Sequence, residues 1–314
     1  MMRRLKRAAQ IALTRSLGLK SGERLVVVTD RFCRRIGQAF FTEGRRLGAQ
    51  VILVEMPPLK EHGNEPPPII ATILKHCDIF VIPTLKSITH TKARREANLY
   101  GARGITLPGI TEDIFVRTIP IDYKKLHRLT LKLAALITGA RKARIISDIG
   151  TDLYLDLSHR TAHADTGLVT KPGSFSNLPA GEAYIAPISA DGYLVIDGSI
   201  ASIGLLRRPI KVWIEEGKMK EVEGDRGRFR RLFEGLGPAA QTVGELGVGT
   251  NQKARLVGNI LEDEKAAGTV HIAFGDNLGF GGNNSAEIHI DCLIKKPTLY
   301  LDDKMIIDNG NILL

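Results

Sequence analysis

Between residues 24 and 118, short apolar runs alternate with segments of helical character, and this rhythm constrains the fold more than any other feature of the chain. Residues 25–28, 51–54, 78–83 and 104–107 read as buried-type strands. The intervening segments carry apolar residues at helical spacing, as with Ile36, Ala39, Phe40 and Leu47 after Asp30. Strand and helix alternating at this pitch predict an open parallel sheet with helices on both faces. The turn after the first strand is Thr29-Asp30-Arg31-Phe32, without the glycines that let a backbone cradle a phosphate. This sheet is therefore expected to be a scaffold, not a nucleotide site.

Residues 123–138, with Leu126, Leu129, Leu133 and Ile137 on one side, predict a long helix that Gly139 stops. Beyond residue 143 the character changes. Most of the chain's 32 glycines lie in this part, between short strand-like runs. Residues 144–149 and 152–157 read as a hairpin around Gly150. Strands follow at 184–187, 193–196, 210–215 and 218–223, divided by Asp191-Gly192 and Glu216-Gly217 turns. A short helix is expected at 229–236, with strands again around Val270 and Ile288. The expected class is α/β: an N-terminal open parallel sheet with flanking helices over residues 1–141, and a β-rich α+β metal-binding domain over 142–314.

Lys and Arg total 44 against 34 Asp and Glu, so nucleic acid has to be considered as a partner. The basic residues are scattered in pairs such as Arg34-Arg35 and Arg94-Arg95, and aromatics are only 5% of the chain. Few stacking platforms result, and nucleic acid is not expected to bind. Cys33, Cys77 and Cys292 are odd in number and far apart, which suits neither a disulfide framework nor a zinc knuckle. The basic N-terminal segment reads as an amphipathic helix, and no apolar run is long enough to span a membrane. A cytoplasmic setting is expected.

The chemistry is concentrated in the second half. In Gly282-Asn283-Asn284-Ser285-Ala286-Glu287-Ile288-His289-Ile290-Asp291-Cys292, read as a strand, His289 and Asp291 share the face opposite Ile288, Ile290 and Cys292. An imidazole and a carboxylate side by side are in reach of one metal ion. Further ligand types stand upstream: Glu182 after Pro179-Ala180-Gly181, Glu245 between glycines, Glu264 closing an acidic triplet, and His271 alternating with Val270 and Ile272. Two histidines, an aspartate and two or three glutamates match a dinuclear site. A second cluster of His159, His163 and Asp165 falls in a segment with no helical frame.

The segments around Asn177-Leu178-Pro179-Ala180-Gly181-Glu182, Gly244-Glu245, Asp263-Glu264-Lys265, residues 269–275 and residues 281–291 resemble the metal-binding segments of the aminopeptidase T family. The resemblance implies that Glu182, Glu245, Glu264, His271, His289 and Asp291 are metal ligands, with Glu182 or Glu245 as catalytic base or bridge. It implies a homodimer and two zinc or cobalt ions activating a water for release of N-terminal residues from peptides. This chain would be a short, divergent member, with Leu278 where the family has a catalytic tyrosine.

A related branch with this fold cleaves dihydroxypyridine rings, using one Fe(II) in a site of the kind His271, His289 and Asp291 would make. The short chain and the missing tyrosine favour that branch, while the retained pair Glu182 and Glu245 favours the dinuclear hydrolase. The expectation is therefore a metallo-aminopeptidase acting on peptides or small molecules, with the iron dioxygenase as the alternative.

Overall fold

The helix α1 (Met2–Ile11) precedes four parallel strands, β1 (Arg24–Thr29), β2 (Gln50–Glu55), β3 (Ile79–Thr84) and β4 (Arg103–Pro108), which are the four apolar runs expected. Helices α2 (Arg34–Arg46), α3 (Pro68–Lys75), α4 (Lys92–Leu99) and α5 (Glu112–Thr118) connect or follow them. Thr91 and Thr111 cap α4 and α5, their hydroxyls accepting from the amides of Arg94 and Ile114 at 3.3 and 3.2 Å. Four consecutive buried residues of β1, Leu25 to Val28, show why the run does not alternate: both faces of the sheet are covered.

The computed structural model describes residues 1–224 and 226–314. The chain falls into two units, Met1–His127 with Thr166–Ala180 and Arg128–Asp165 with Gly181–Leu314. The long helix α6 (Tyr123–Gly139) passes from the first unit into the second. After it come β5 (Lys142–Ile146), β6 (Asp152–Asp156) and β7 (His163–Asp165). The chain then returns to the first unit for β8 (Phe175–Asn177), which pairs in parallel with β4. The first sheet thus runs β2-β1-β3-β4-β8.

The remaining strands are β9 (Glu182–Ile185), β10 (Ser189–Ile196), β11 (Ser199–Ile200), β12 (Gly204–Leu205), β13 (Ile210–Glu215), β14 (Lys218–Glu223), β15 (Val243–Gly249), β16 (Val270–Gly275), β17 (His289–Ile294), β18 (Thr298–Leu301), β19 (Lys304–Asp308) and β20 (Asn311–Ile312). They build two antiparallel sheets of the second unit, β14-β13-β10-β6-β5-β18-β19-β20 and β12-β11-β17-β16-β15-β9-β7. One apolar core draws on both, with Leu153, Leu194 and Val212 from the first and Leu246, Ile272 and Cys292 from the second.

Two local expectations need correction. The helix expected at 229–236 is α7 (Arg226–Arg231), followed by turns, and Phe233 folds back edge-on to Phe229 and Phe274. The strand expected from Gly282 begins only at His289, so Glu287 belongs to a loop. Side-chain amides supply the bonds that a strand ladder would otherwise make. Asn277 accepts from the amide of Asn284 at 2.8 Å, and the Asn284 carboxamide donates to the carbonyls of Ala239 and Gly275 at 2.8 and 2.7 Å.

In the first sheet the strand order reverses between β1 and β3, the place where α/β sheets commonly open a ligand crevice. Here Asp30 fills that place. Its buried carboxylate accepts from the amides of Phe32 and Cys33 at 3.0 and 3.1 Å and from Leu85 at 2.6 Å. A fixed anion thus occupies the amides that would otherwise receive a phosphate. Asp30→Ala removes the acceptor shared by these amides; the Cys33 amide keeps the Asp30 carbonyl, and the part-buried Leu85 amide loses its partner, a loss of roughly 1–3 kcal/mol. A marked fall in the urea midpoint is expected, with metal content unchanged; an unshifted midpoint would count against this role.

Candidate metal centre

The register of the seven-stranded sheet decides which side chains can meet. Directly paired residues point to the same face of a sheet. Asp165 pairs with Glu182, and His163 with Tyr184. Glu182 pairs with Gly249, and Tyr184 with Gly247. Gly247 pairs with His271, and Glu245 with Ala273. Ala273 pairs with Asp291, and Gly275 with His289. One face of β7-β9-β15-β16-β17 therefore carries all of these ionisable groups, interspersed with glycine and alanine. The opposite face carries Ala183, Ile185, Leu246, Val248, Val270, Ile272, Phe274, Ile290 and Cys292, all packed into the core.

Four expected ligands converge. His271 Nε2 lies 3.1 Å from Glu245 Oε1, His289 Nε2 lies 3.2 Å from Asp291 Oδ1, and Glu245 Oε2 lies 3.5 Å from His289 Nε2. Single ligand atoms of Glu245, His271 and Asp291 all fall within 4.8 Å of one another, and all three residues are buried. Gly247 makes this convergence feasible: a Cβ there would run into Nε2 and Cε1 of the His271 imidazole, which lies over the glycine. Gly249 has a parallel task. The carbonyl of Ala266 rests where its Cβ would be, so the segment after α8 (Ile260–Asp263) packs directly on the sheet.

That segment delivers Lys265, which lies outside the expected ligand set. Its ammonium is buried and ion-paired to Glu182, to Glu264 Oε1 at 2.8 Å and to Asp165 Oδ2 at 3.8 Å. Glu182 and Glu264 thus stand one step away from the four converging residues, held by a cation the chain itself supplies. The other oxygen of Glu182 faces His271 Nε2 at 3.8 Å and has no hydrogen-bond partner. In the acidic triplet, Glu262 and Asp263 are buried and accept backbone amides of Arg255, Val257 and Gly258. The second cluster, His159, His163 and Asp165, which its sequence marks as a loop, forms no metal-ligand group among the described residues. His159 sits in a turn with φ of 60°, and His163 stacks on Tyr184 with ring centroids 5.5 Å apart. Of that trio Asp165 meets the charged groups through Lys265, and His163 joins the site through ring contacts.

The donor set suits a divalent metal ion. The backbone carbonyl of Asp276 lies 2.8 Å from His289 Nδ1, so Nδ1–H donates there and leaves the Nε2 lone pair directed at Asp291 and Glu245. The charges point the same way, because buried carboxylates outnumber the single lysine. Burial opposes a charged His271, yet Glu245, with Glu182 and Asp291 behind it, pushes its pKa up to about 9. Burial likewise opposes charge on His289, and Asp291 and Glu245 raise it to about 10. Burial pushes Glu264 up to about 8 despite Lys265 beside it, and it raises Glu182 too. Burial opposes charge on Asp291 most, yet His289, with His271 and Lys265 behind it, pulls it well below the usual carboxylate range. Burial also works against the Lys265 charge, but Glu182, Glu264 and Asp165 hold its pKa well above the usual lysine value. Without a metal, the site recruits protons as substitute cations.

Around the centre stands an aromatic wall whose Phe280 and Tyr184 lie outside the residues expected from sequence. Phe280 is edge-on to Tyr184, His163 and His289, at centroid distances of 5.4, 6.5 and 5.9 Å. Phe280 and Leu278 lie in one short turn of the 276–288 loop, where Leu278 is exposed. Arg160 donates to the carbonyl of Gly281 and ties that loop down. No spacing rule marks Phe280 or Tyr184, since they come together only through strand pairing and the loop.

Two outcomes follow from this geometry. Gly247→Ala displaces the His271 imidazole, so bound metal, measured by elemental analysis, should fall by about tenfold or more; full occupancy would contradict the close approach. The raised histidines give a pH signature. Their stabilisation of the metal-free fold is complete below the ordinary imidazole value of about 6.5 and is lost as pH climbs through about 9 to 10. Metal must displace those protons, so calorimetry in buffers of different ionisation enthalpy should show proton release at pH 7, with affinity rising as pH rises. Proton-neutral uptake would contradict it.

The fold and site have relatives. A curated 2,5-dihydroxypyridine 5,6-dioxygenase of Pseudomonas putida KT2440 is 24% identical over 224 residues, 64% of this chain and 61% of that protein, so the match spans less than two thirds of the relative's length. The solved structure of 2,5-dihydroxypyridine dioxygenase from Pseudomonas putida KT2440 superposes with a TM-score of 0.83 at 20% identity, covering 100% of this chain and 98% of that one. Wild-type AmpT from Thermus thermophilus superposes with a TM-score of 0.72 at 18% identity, covering 99% of each chain. The likeness to aminopeptidase T is thus one of fold.

The expected metallo-aminopeptidase, a hydrolase and protease, is overturned by these findings. The curated relative is a dioxygenase, and the family profile that fits the chain is a dioxygenase profile. Glu182 and Glu245 favoured the hydrolase as a retained pair, but Lys265 holds Glu182 and leaves Glu245 to the histidines. The profile described as NicX: 2,5-dihydroxypyridine 5,6-dioxygenase matches residues 7–314, and the chain belongs to that family.

Proposed function

We propose that this protein is a mononuclear Fe(II) dioxygenase that opens a dihydroxylated nitrogen heteroaromatic ring, with 2,5-dihydroxypyridine as the first substrate to test. The observation that carries the reading is the convergence of Glu245, His271 and Asp291 within 4.8 Å of one another on one sheet face, with His289 Nε2 beside Asp291 at 3.2 Å and Glu245 at 3.5 Å. Two histidines and one carboxylate, leaving open positions, are the ligand set of non-haem Fe(II) oxygenases. His271, His289 and Asp291 would hold the iron. Bound Fe(II) would supply the one-electron chemistry that dioxygen needs before it can react with a closed-shell ring.

The chain's own groups have distinct tasks in this reading. The Asp276 carbonyl fixes the tautomer of His289. Lys265 pins Glu182, whereas Glu245 pairs with no lysine or arginine among the described residues and lies against the two histidines. Glu245 is therefore the carboxylate placed to take a proton from a substrate hydroxyl at Oε2. Tyr184, His163 and Phe280 offer π faces and edges against which a flat ring stacks. The ring bond between carbons 5 and 6 is broken, and both atoms of one O₂ end in the opened product.

The test is anaerobic loading of metal-free protein with Fe(II), followed by addition of 2,5-dihydroxypyridine and oxygen. The expected result is loss of the ring absorbance with one O₂ consumed per ring. His289→Ala and Asp291→Ala should keep the fold by circular dichroism and lose more than about 100-fold of the activity together with their iron. An iron-loaded protein that leaves the ring intact, or equal turnover with zinc, would falsify the proposal.

A further inference from the structure

We propose that Lys265 is a built-in cation that limits the centre to one metal ion. The inference rests on reading His271, His289 and Asp291 as metal ligands, and it concerns the neighbouring carboxylates. Asp165, Glu182 and Glu264 come from β7, the start of β9 and the end of α8, and they surround a single Nζ. An assembly of oxygen donors from three separate elements around one point is how a chain builds a seat for a hard cation. Here the seat is filled by an ammonium.

Glu182 links that seat to the metal ligands. One of its oxygens accepts from Lys265, and the other, buried and without a partner, faces His271 Nε2 at 3.8 Å. A carboxylate spanning two cations in this way is the bridge of a dinuclear site. With Lys265 present, one of the two cations is covalently part of the protein. The lysine is also anchored from behind: its carbonyl accepts from the amide of Asn251, and Ala266 beside it rests on Gly249. The ammonium is therefore held in place by backbone packing as well as by charge. The consequence is a ligand-rich site that stays mononuclear, and a single ion keeps the open positions that ring and oxygen require.

Metal stoichiometry tests this directly, with Mn(II) as an air-stable probe that accepts nitrogen and oxygen ligands. Metal-free wild type, Lys265→Ala and Lys265→Arg are titrated with Mn(II), freed of unbound ion, and analysed for metal per chain and by electron paramagnetic resonance. Wild type and Lys265→Arg are expected to bind one ion with an isolated-ion spectrum. Lys265→Ala is expected to bind two, with the multiline spectrum of an exchange-coupled pair. If Lys265→Ala does not stay folded by circular dichroism, Lys265→Ser, which leaves the space open and keeps a polar group, is read in its place. Two ions on wild type, or one ion on the folded small variant, overturns the role given to Lys265. No Mn(II) on wild type strikes at the metal centre itself, so the two readings fail separately.

Discussion

A sheet face crowded with like charges is the constraint on which this second unit depends. Asp165, Glu182, Glu245 and Asp291 share one face of an antiparallel sheet whose other face is fully engaged in the core, so none of them can turn away. Buried carboxylates of one sign are tolerable only with cations among them. Lys265 supplies one, the histidines supply more by taking up protons, and a divalent ion would supply the rest in the proposed reading. Glycine at 247 and 249 and alanine at 273 clear the space in which those cations sit. The small residues and the charged ones are two halves of one arrangement: enlarging the former would force the latter apart.

Much of this arrangement is legible in the amino-acid sequence. The apolar runs of β1 to β4 are uninterrupted because both faces of a parallel sheet are covered, and a run of Val and Leu has few other interpretations. The His-x-Asp pair is legible because the period of a strand is fixed at two, so His289 and Asp291 must lie side by side. Less legible are the features made by pairing between distant strands. Lys265 follows an acidic triplet and no spacing marks it; it is buried where the Ala266 carbonyl rests on Gly249, which no local pattern encodes. The strand expected through Gly282 is missing for a related reason. Asn277 and Asn284 satisfy the backbone with side-chain amides and hold a loop where alternation suggests a ladder. The return of residues 166–180 to the first unit adds a parallel strand of only three residues, too short to carry a signal of its own.

The misassigned reaction class has the most instructive cause. The ligand types are all present, but counting them treats every carboxylate as equally available. Six candidate ligands suggest two metals, and two metals argue for a hydrolase. The structure divides the six: Glu245, His271 and Asp291 converge with His289 beside them, and Glu182 and Glu264 are paired to a lysine. Number of ligands is a property of the sequence, whereas number of vacancies depends on which ligands the protein has already satisfied. An inventory of donors therefore sets an upper bound on metal count, and the cations within the fold reduce it.

The same division separates what must be rigid from what is free to vary. His271, His289 and Asp291 stand on β16 and β17, in the interior of a sheet, where strand pairing fixes each Cα on both sides. The aromatic wall instead draws Phe280 from a loop held by Asn277, Asn284 and the Arg160 tether. Ligand geometry must be kept within a fraction of an ångström, and strands provide that precision better than loops do. A ring-binding wall needs shape more than precision, and a loop can change its side chains without disturbing the sheet behind it. In the proposed dioxygenase the metal ligands and the wall rest on different supports, so selectivity for a ring would change through residues such as Phe280 and Leu278, while the chemistry would stay with the strands.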